Sequence, residues 1–374
     1  MTTILIFSAC ISIAYAIMIV RFIKGWNSIP EFRCGSLDQR FYVSVIVAFR
    51  NEEKNLPALF DALRRQSYPS NELEFIFADD HSDDGSVSLV EVFVSSVANA
   101  GLIRLRDDEE GKKKSLIRAA QRARGKLLVF TDADCLPGPD WIKTIAAYYL
   151  ETGSILIASP VVINPENSFF SRFQSLEFFS LMGSTAGSFG IHDPIMVNGA
   201  NLAADRDVYL QSIDSILNQT ASGDDVFLML HLKKASPGKL SFLKSREASV
   251  FCSPVSGFYS FIMQRMRWTS KSRHYRDLSI VRTAILVLLL NFWLLNCFVL
   301  SFFQDQFIYV GAGVFLIKSI LDFVFIGKIL KFFGRSELLR IFVLSQFLYF
   351  LYISFVGLAG NIFPSKWKGR RVNL

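Results

Sequence analysis

The sequence predicts an α/β domain, its sheet parallel, inserted between one N-terminal and about three C-terminal transmembrane helices. Three observations predict it. From residue 41 to residue 132, short β-rich runs alternate with stretches of helical apolar spacing, the pattern of a parallel sheet with helices on both faces. Two of those runs end abruptly in paired acids, Asp79-Asp80 and Asp132-Ala133-Asp134, as expected at the carboxyl edge of an open sheet, where ligands bind. Uncharged apolar stretches of bilayer-spanning length flank the region on both sides.

Residues 1–24 read as the first anchor: positions 1–20 carry no charge, and Arg21 and Lys24 follow. The positive-inside bias then puts the next domain in the cytoplasm, and the lack of a basic n-region argues for an anchor that is retained rather than a cleaved signal. Residues 25–40 read as a linker, and 41–255 as the main domain. Within it the spacing predicts a strand over 42–48, a helix over 51–66 with Leu56, Leu59, Phe60 and Leu63 on one face, and a strand over 73–79. A helix reaching about Ala100, a short strand at 102–105, a basic helix over 112–124 and the strand ending at Asp132 complete the alternation. The aromatic stretch 169–179 suits a core helix slightly better than one lying on a membrane. Asn198 to Asn201 reads as a loop, and Ser222 to Asp225 leads into another helix.

Residues 256–279 combine Phe258, Phe261 and Ile262 with Arg265, Arg267, Lys271, Arg273 and Arg276. Basic and apolar faces together predict an interfacial helix. Three apolar stretches follow within 280–363, at 283–303, 307–330 and 341–363. The middle one carries Lys318 and Asp322 one turn apart, where they can neutralise each other inside a bundle or mark a functional site. The tail, 364–374, is basic, and by the same bias belongs in the cytoplasm; four spans would end on the other side, so one stretch is expected to be interfacial or re-entrant.

Composition agrees. Hydrophobic residues make up 51% of the 374 and mean hydropathy is +0.33, too apolar for a plain soluble enzyme. Net charge is +7, but His231 to Arg282 alone holds eleven Lys and Arg against two acids. A basic block just before an apolar run suits an anionic membrane surface or a phosphorylated ligand, not a nucleic-acid groove. The five cysteines are widely separated, without a CxxC, so free thiols are expected, with Cys135 as a small packing residue.

Several acids and cations suit a metal-dependent transfer from a nucleoside diphosphate. Asp132 and Asp134 are hard oxygen ligands for Mg²⁺ or Mn²⁺, few in number because phosphates complete the shell; an acidic turn is the alternative. Asp80 could accept from the ring N–H of a base. Lys112 and the Arg265 to Arg276 helix could supply cations for the leaving diphosphate, and Asp225 a general base. Asp83 and Asp84 are expected to cap the helix after Gly85, Asp224 to cap its own, and Lys113 and Lys114 to be solvated or phosphate-steering.

Over residues 42–275 the chain resembles the membrane-anchored family 2 glycosyltransferases. The resemblance is carried by VSVIVAFRNEE (43–53), FADDHSDDGS (77–86), GKKKSL (111–116), FTDADC (130–135), NGAN (198–201), SGDD (222–225) and QRMRW (264–268). It implies a GT-A-like, Rossmann-like nucleotide-sugar domain and an inverting, metal-dependent hexosyltransferase. Ala48 and Glu52 would border the uridine and Asp80 bind uracil. Lys112 would contact the nucleotide, and Asp132 and Asp134 form the DxD. Asp225 would be the base, although SGDD stands where the family has a TED-type motif. Gln264, Arg267 and Trp268 fill QxxRW, which closes the site over diphosphate and acceptor. The implied partners are a UDP-sugar, a lipid, lipid-linked saccharide or growing polysaccharide as acceptor, and the membrane. A processive, poly-N-acetylglucosamine-like synthase subunit with an oligomeric or export partner is the alternative within the class, and a non-catalytic membrane scaffold of an export complex the alternative outside it.

Overall fold

The computed structural model describes residues 1–35, 39–217, 223–360, 366–367 and 370–371. Ser222 of SGDD, the side chain of Arg273 and the side chains of the basic tail lie outside the described residues. The chain forms an α/β unit, Ile29–Asn164 with Met196–Ser253, and a helical unit, Met1–Ser28 with Pro165–Ile195 and Pro254–Leu374.

The α/β unit holds β1 (Val43–Phe49), β2 (Leu73–Asp79), β3 (Ala100–Arg104), β4 (Leu127–Asp132), β5 (Cys135–Pro137), β6 (Leu156–Ala158), β7 (Val161–Ile163), β8 (Asn201–Asp205), β9 (Leu240–Phe242) and β10 (Val250–Cys252). Seven of these form one sheet in the order β3-β2-β1-β4-β8-β6-β9. Every residue of β1 and β2 is buried, as continuous apolar runs require in a sheet covered on both faces. The first four strands are parallel, as expected, but β8 is antiparallel to β4 and β6. The reason lies in where β8 begins: Asn201 pairs with Thr131 near the carboxyl end of β4, so the chain must run back along it.

Polar anchors fix the two ends of the central strands. At the amino end, buried Glu74 accepts from Ser44 Oγ at 2.6 Å and from Arg124 N at 2.7 Å. Gly125 is required beside them, because a Cβ there would lie 2.4 Å from Ser44 N. At the carboxyl end the helix expected from residue 51 begins later, as Leu56–Arg64. Asn51 instead takes φ 53°, exchanging side-chain and backbone hydrogen bonds with Asp83. Asp84, not Asp83, satisfies the start of Ser86–Ser96, accepting from Ser86 N at 3.0 Å.

The cysteine expectation is corrected. β10 brings Cys252 opposite Cys135 of β5, their Cα atoms 4.6 Å apart, and the two form a disulfide. Their separation of 117 residues gave no local signal. Cys10, Cys34 and Cys297 are free.

In the helical unit, Thr2–Ser28 and Phe169–Gly190 approach through glycines: a Cβ on Gly187 would lie 2.6 Å from Phe22 O, and one on Gly190 2.0 Å from Gly25 O. Such small residues let helix backbones meet, and the aromatic stretch at 169–179 is largely buried, a core helix. Among the described residues four helices are long and apolar enough to cross a membrane: Thr2–Ser28, Leu278–Leu300, Gln306–Phe333 and Ser336–Ala359. Lys318 and Asp322 are paired at 2.6 Å and buried; Asp322 also accepts from Tyr15, and Lys318 donates to Gln346.

Thiol titration of the denatured, unreduced protein is expected to find three reactive cysteines, rising to five after reduction. Five before reduction would remove the Cys135–Cys252 link.

Candidate active site

The site is built at the carboxyl ends of β2, β1 and β4. Parallel register sets Ala48 between Ala78 and Asp132, and Phe49 beside Asp79. Succession from β1 runs outward to β2 and β3, and β4 returns on the opposite side. This is a topological switch point, where the loops diverge and leave a crevice.

Asp132 ends β4, and Ala133 and Asp134 form the following turn. The Lys112 ammonium is hydrogen-bonded to Asp132 Oδ1. Burial works against the charge on Lys112, but Asp132, Asp224 and Asp225 together outweigh it and raise its pKa. Asp134 keeps one side open to solvent. Desolvation on its other side, then the neighbouring charges of Asp132 and Glu52, push its pKa up to about 6, with Lys112 opposing. Carboxylates thus outnumber the cation set against them, a charge balance that a divalent ion would restore. Among the described residues no three His, Cys, Asp or Glu side chains gather as a metal cage. Two carboxylates on an open edge instead fit an ion whose remaining ligands come from phosphate and water.

The neighbouring loops are tied to this edge. Asp80 is buried, 1% exposed, and accepts from Gly111 N at 3.0 Å, joining the end of β2 to the start of the Lys112–Arg122 helix. Gly111 has φ 97°, a conformation open to glycine. Glu52 N donates to Ser86 Oγ at 2.7 Å, and its carboxylate accepts from Asn55. Asp225, in the first turn of Asp224–Ala235, accepts from Gly199 N at 2.9 Å, so the NGAN turn and the SGDD helix meet. A Cβ on Gly199 would lie 3.4 Å from that carboxylate.

Ala48, Glu52, Asp80, Lys112, Asp132, Asp134 and Asp225 all belong to the α/β unit, whereas Gln264, Arg267 and Trp268 belong to the helical unit, on the helix Phe258–Ser270. Two expectations are corrected. Lys113 is not solvated: it is buried and its ammonium donates to Ile216 O at 3.0 Å. Arg265 is not on an exposed basic face, nor a spare cation for a diphosphate, because it is buried and paired with Glu177.

Sequence reading missed what Asn201 does. It is 1% exposed, accepts from Trp141 Nε1 at 2.9 Å, and donates to Pro160 O at 2.7 Å and Ala248 O at 2.8 Å. It therefore joins three segments under the Asn198 to Ala200 turn. Its position as the last residue of NGAN was the only signal.

A model of the family described as Glycosyl transferase family 2 matches residues 44–213. Glycosyltransferase AglE of Haloferax volcanii is 23% identical over 228 residues, 60% of this chain and 71% of that protein. Dolichol-phosphate mannosyltransferase of Mycosarcoma maydis is 35% identical over 127 residues, 33% of this chain but only 40% of its own length. Among solved structures, mannosyltransferase PcManGT from Pyrobaculum calidifontis, in complex with GDP-Man and Mn²⁺, matches with a TM-score of 0.57 at 16% identity, covering 95% of this chain and 98% of that one. At that identity the likeness is one of fold.

Two measurements test the site. A raised carboxyl pKa means that folding favours neutral Asp134; this contribution is complete below about pH 4 and lost as pH rises through about 6. A cation needing the ionised carboxylate competes with that proton. Mn²⁺ affinity, followed by calorimetry, is expected to fall about tenfold per pH unit below about 6 and to level off above about 7. Asn201→Ala strands a buried indole N–H and two buried carbonyls, and is expected to cost about 3 kcal/mol in denaturant unfolding; a cost near zero would dismiss its joining role.

Proposed function

We propose that the chain is a family 2 glycosyltransferase that moves a sugar from a UDP-sugar to a hydroxyl on a lipid-borne acceptor, with inversion, at the cytoplasmic face of a membrane; the family model over residues 44–213 and the likeness to glycosyltransferase AglE support this reading. The observation that carries this reading is the trio Asp132, Asp134 and Lys112 at the carboxyl edge of the central strands. Four membrane-compatible helices support a membrane acceptor, as does the dolichol-phosphate mannosyltransferase among the relatives. Arg21 and Lys24, directly after the first apolar stretch, support the cytoplasmic side.

In this reading each residue has a distinct task. Ala48 and Glu52 border the nucleoside, and Asp80 accepts from the base. Asp132 and Asp134 hold Mg²⁺ or Mn²⁺; the bound ion would neutralise charge on the departing diphosphate. Lys112, kept charged by the acids around it, exchanges its contact with Asp132 for a phosphate oxygen. Asp225, its carboxylate oriented by Gly199 N, takes the proton from the acceptor hydroxyl as that oxygen attacks the anomeric carbon in line. One displacement inverts the anomeric centre, so no covalent sugar–enzyme intermediate is needed. Gln264, Arg267 and Trp268 would act on diphosphate and acceptor, as the resemblance of QRMRW to QxxRW implies.

Membranes containing the protein, incubated with Mn²⁺ and a panel of labelled UDP- and GDP-sugars, are expected to transfer label from a UDP-sugar into the organic-solvent fraction. Asp134→Ala and Asp225→Asn should each lower that transfer at least about 100-fold. The first should also weaken UDP binding in the presence of Mn²⁺, and the second should not. Full transfer by both purified variants would refute the assignment of the acids, and label from GDP-sugars alone would refute the uridine reading.

A further inference from the structure

We infer that Arg265, the second residue of QRMRW, together with Glu177 and Tyr352 forms a buried clamp that positions Gln264 and Trp268 for transfer; the inference rests on the proposed role of those two residues. The three clamp residues are positioning residues, and all lie in the helical unit.

The geometry centres on one guanidinium. Arg265 Nε lies 3.1 Å and 3.2 Å from the two carboxylate oxygens of Glu177, and Nη2 bonds the same carboxylate. The Nη1 group donates to Gln264 Oε1. The guanidinium carbon stands 4.3 Å from the ring centre of Trp268 and 4.4 Å from that of Phe261. Arg265 therefore touches two of the three defining residues of QxxRW. Tyr352, on the helix Phe342–Ala359, donates to Glu177 Oε1. The side chains of Arg265 and Glu177 are only 4% and 3% exposed.

Stability alone does not account for such a pair. A buried ion pair loses most of its Coulombic gain to desolvation, and well-packed apolar residues commonly serve as well or better. What an apolar pair could not supply is direction. A rigid guanidinium with its donors divided between Glu177 and Gln264 fixes the Gln264 oxygen as an acceptor, leaving its amide nitrogen as the donor available for a ligand. The same plane over Trp268 fixes the indole. Beyond Tyr352 the polar contacts continue: its ring lies 5.5 Å from that of Tyr349, over which Lys318 Nζ stands at 4.9 Å. The clamp is thereby joined to the buried Lys318–Asp322–Tyr15 group.

The test uses the full-length protein and five variants: Tyr352→Phe, the paired replacement Glu177→Leu with Arg265→Met, Gln264→Ala, the paired replacement combined with Gln264→Ala, and Trp268→Ala. The paired replacement leaves no unpaired buried charge, so it is expected to fold. Thermal melting, UDP binding with Mn²⁺, and labelled-sugar transfer from the UDP-sugar panel into extracted lipid are measured for each. The paired replacement should keep melting and UDP binding near those of the unaltered protein while kcat falls at least about tenfold. Tyr352→Phe should shift kcat in the same direction by a smaller factor. Added to Gln264→Ala, the paired replacement should lower kcat by a smaller factor than it does alone, because part of its effect runs through Gln264 and only the rest through Trp268. Full kcat in the paired variant with an impaired Gln264→Ala would overturn the clamp and leave the role of QxxRW standing. Full kcat in both Gln264→Ala and Trp268→Ala would overturn that role, and the clamp with it. Equal losses of melting temperature and activity in the paired and Tyr352→Phe variants would reduce the clamp to a fold stabiliser.

Discussion

Parallel pairing of β2, β1 and β4 brings the ends of three strands to one line, with Ala48 level with Asp132 and Phe49 level with Asp79. Parallel strands cannot avoid this: each leaves the sheet at the same edge, so acids placed at their ends accumulate there. Carboxylates crowded together and partly withdrawn from water resist ionisation, and Asp134, raised first by desolvation and then by the charges of Asp132 and Glu52, binds its proton more tightly than an ordinary aspartate. Lys112 offsets part of that shift from the start of the helix that precedes β4. The disposition of the loops follows from the same constraint: Asp80 is fixed by Gly111 N, Asn51 by Asp83 and Asp225 by Gly199 N, so each acidic segment is held by hydrogen bonds from another segment of the edge.

Much of this was legible because strand ends leave a local signature. A run such as LLVF followed by TDAD changes from apolar to acidic within two residues, and β2 was placed at its observed limits, Leu73–Asp79, for the same reason. The Lys112 helix is announced by Gly111 and the apolar spacing behind three lysines. Features set by distant partners left no such mark. Antiparallel β8 depends on where the chain re-enters the sheet, Cys135 meets Cys252 only because β10 lies beside β5, and Asn201 acquires its partners from three separate segments. Amphipathic reading failed at Arg265 and Lys113 for one physical reason. Basic residues are assumed to face solvent, and here each found a buried acceptor, the Glu177 carboxylate in one case and the Ile216 carbonyl in the other.

The chain therefore buries charge in two ways, and the contrast separates groups that hold the fold from groups free to react. Arg265 with Glu177, and Lys318 with Asp322, are enclosed, matched one to one, and capped by further hydrogen bonds from Tyr352 and Tyr15. An added ion or ligand would have no imbalance to correct there, so these pairs fix geometry. Around Asp132 and Asp134 the balance is uneven: acids gather faster than the cation beside them can compensate, on an edge still open to solvent. Such an arrangement is costly until something positive arrives, and it is open enough to let it in. In the proposed reaction, the Lys112 ammonium beside Asp132 would turn from that carboxylate to a phosphate oxygen once a cation and a diphosphate were held at the edge.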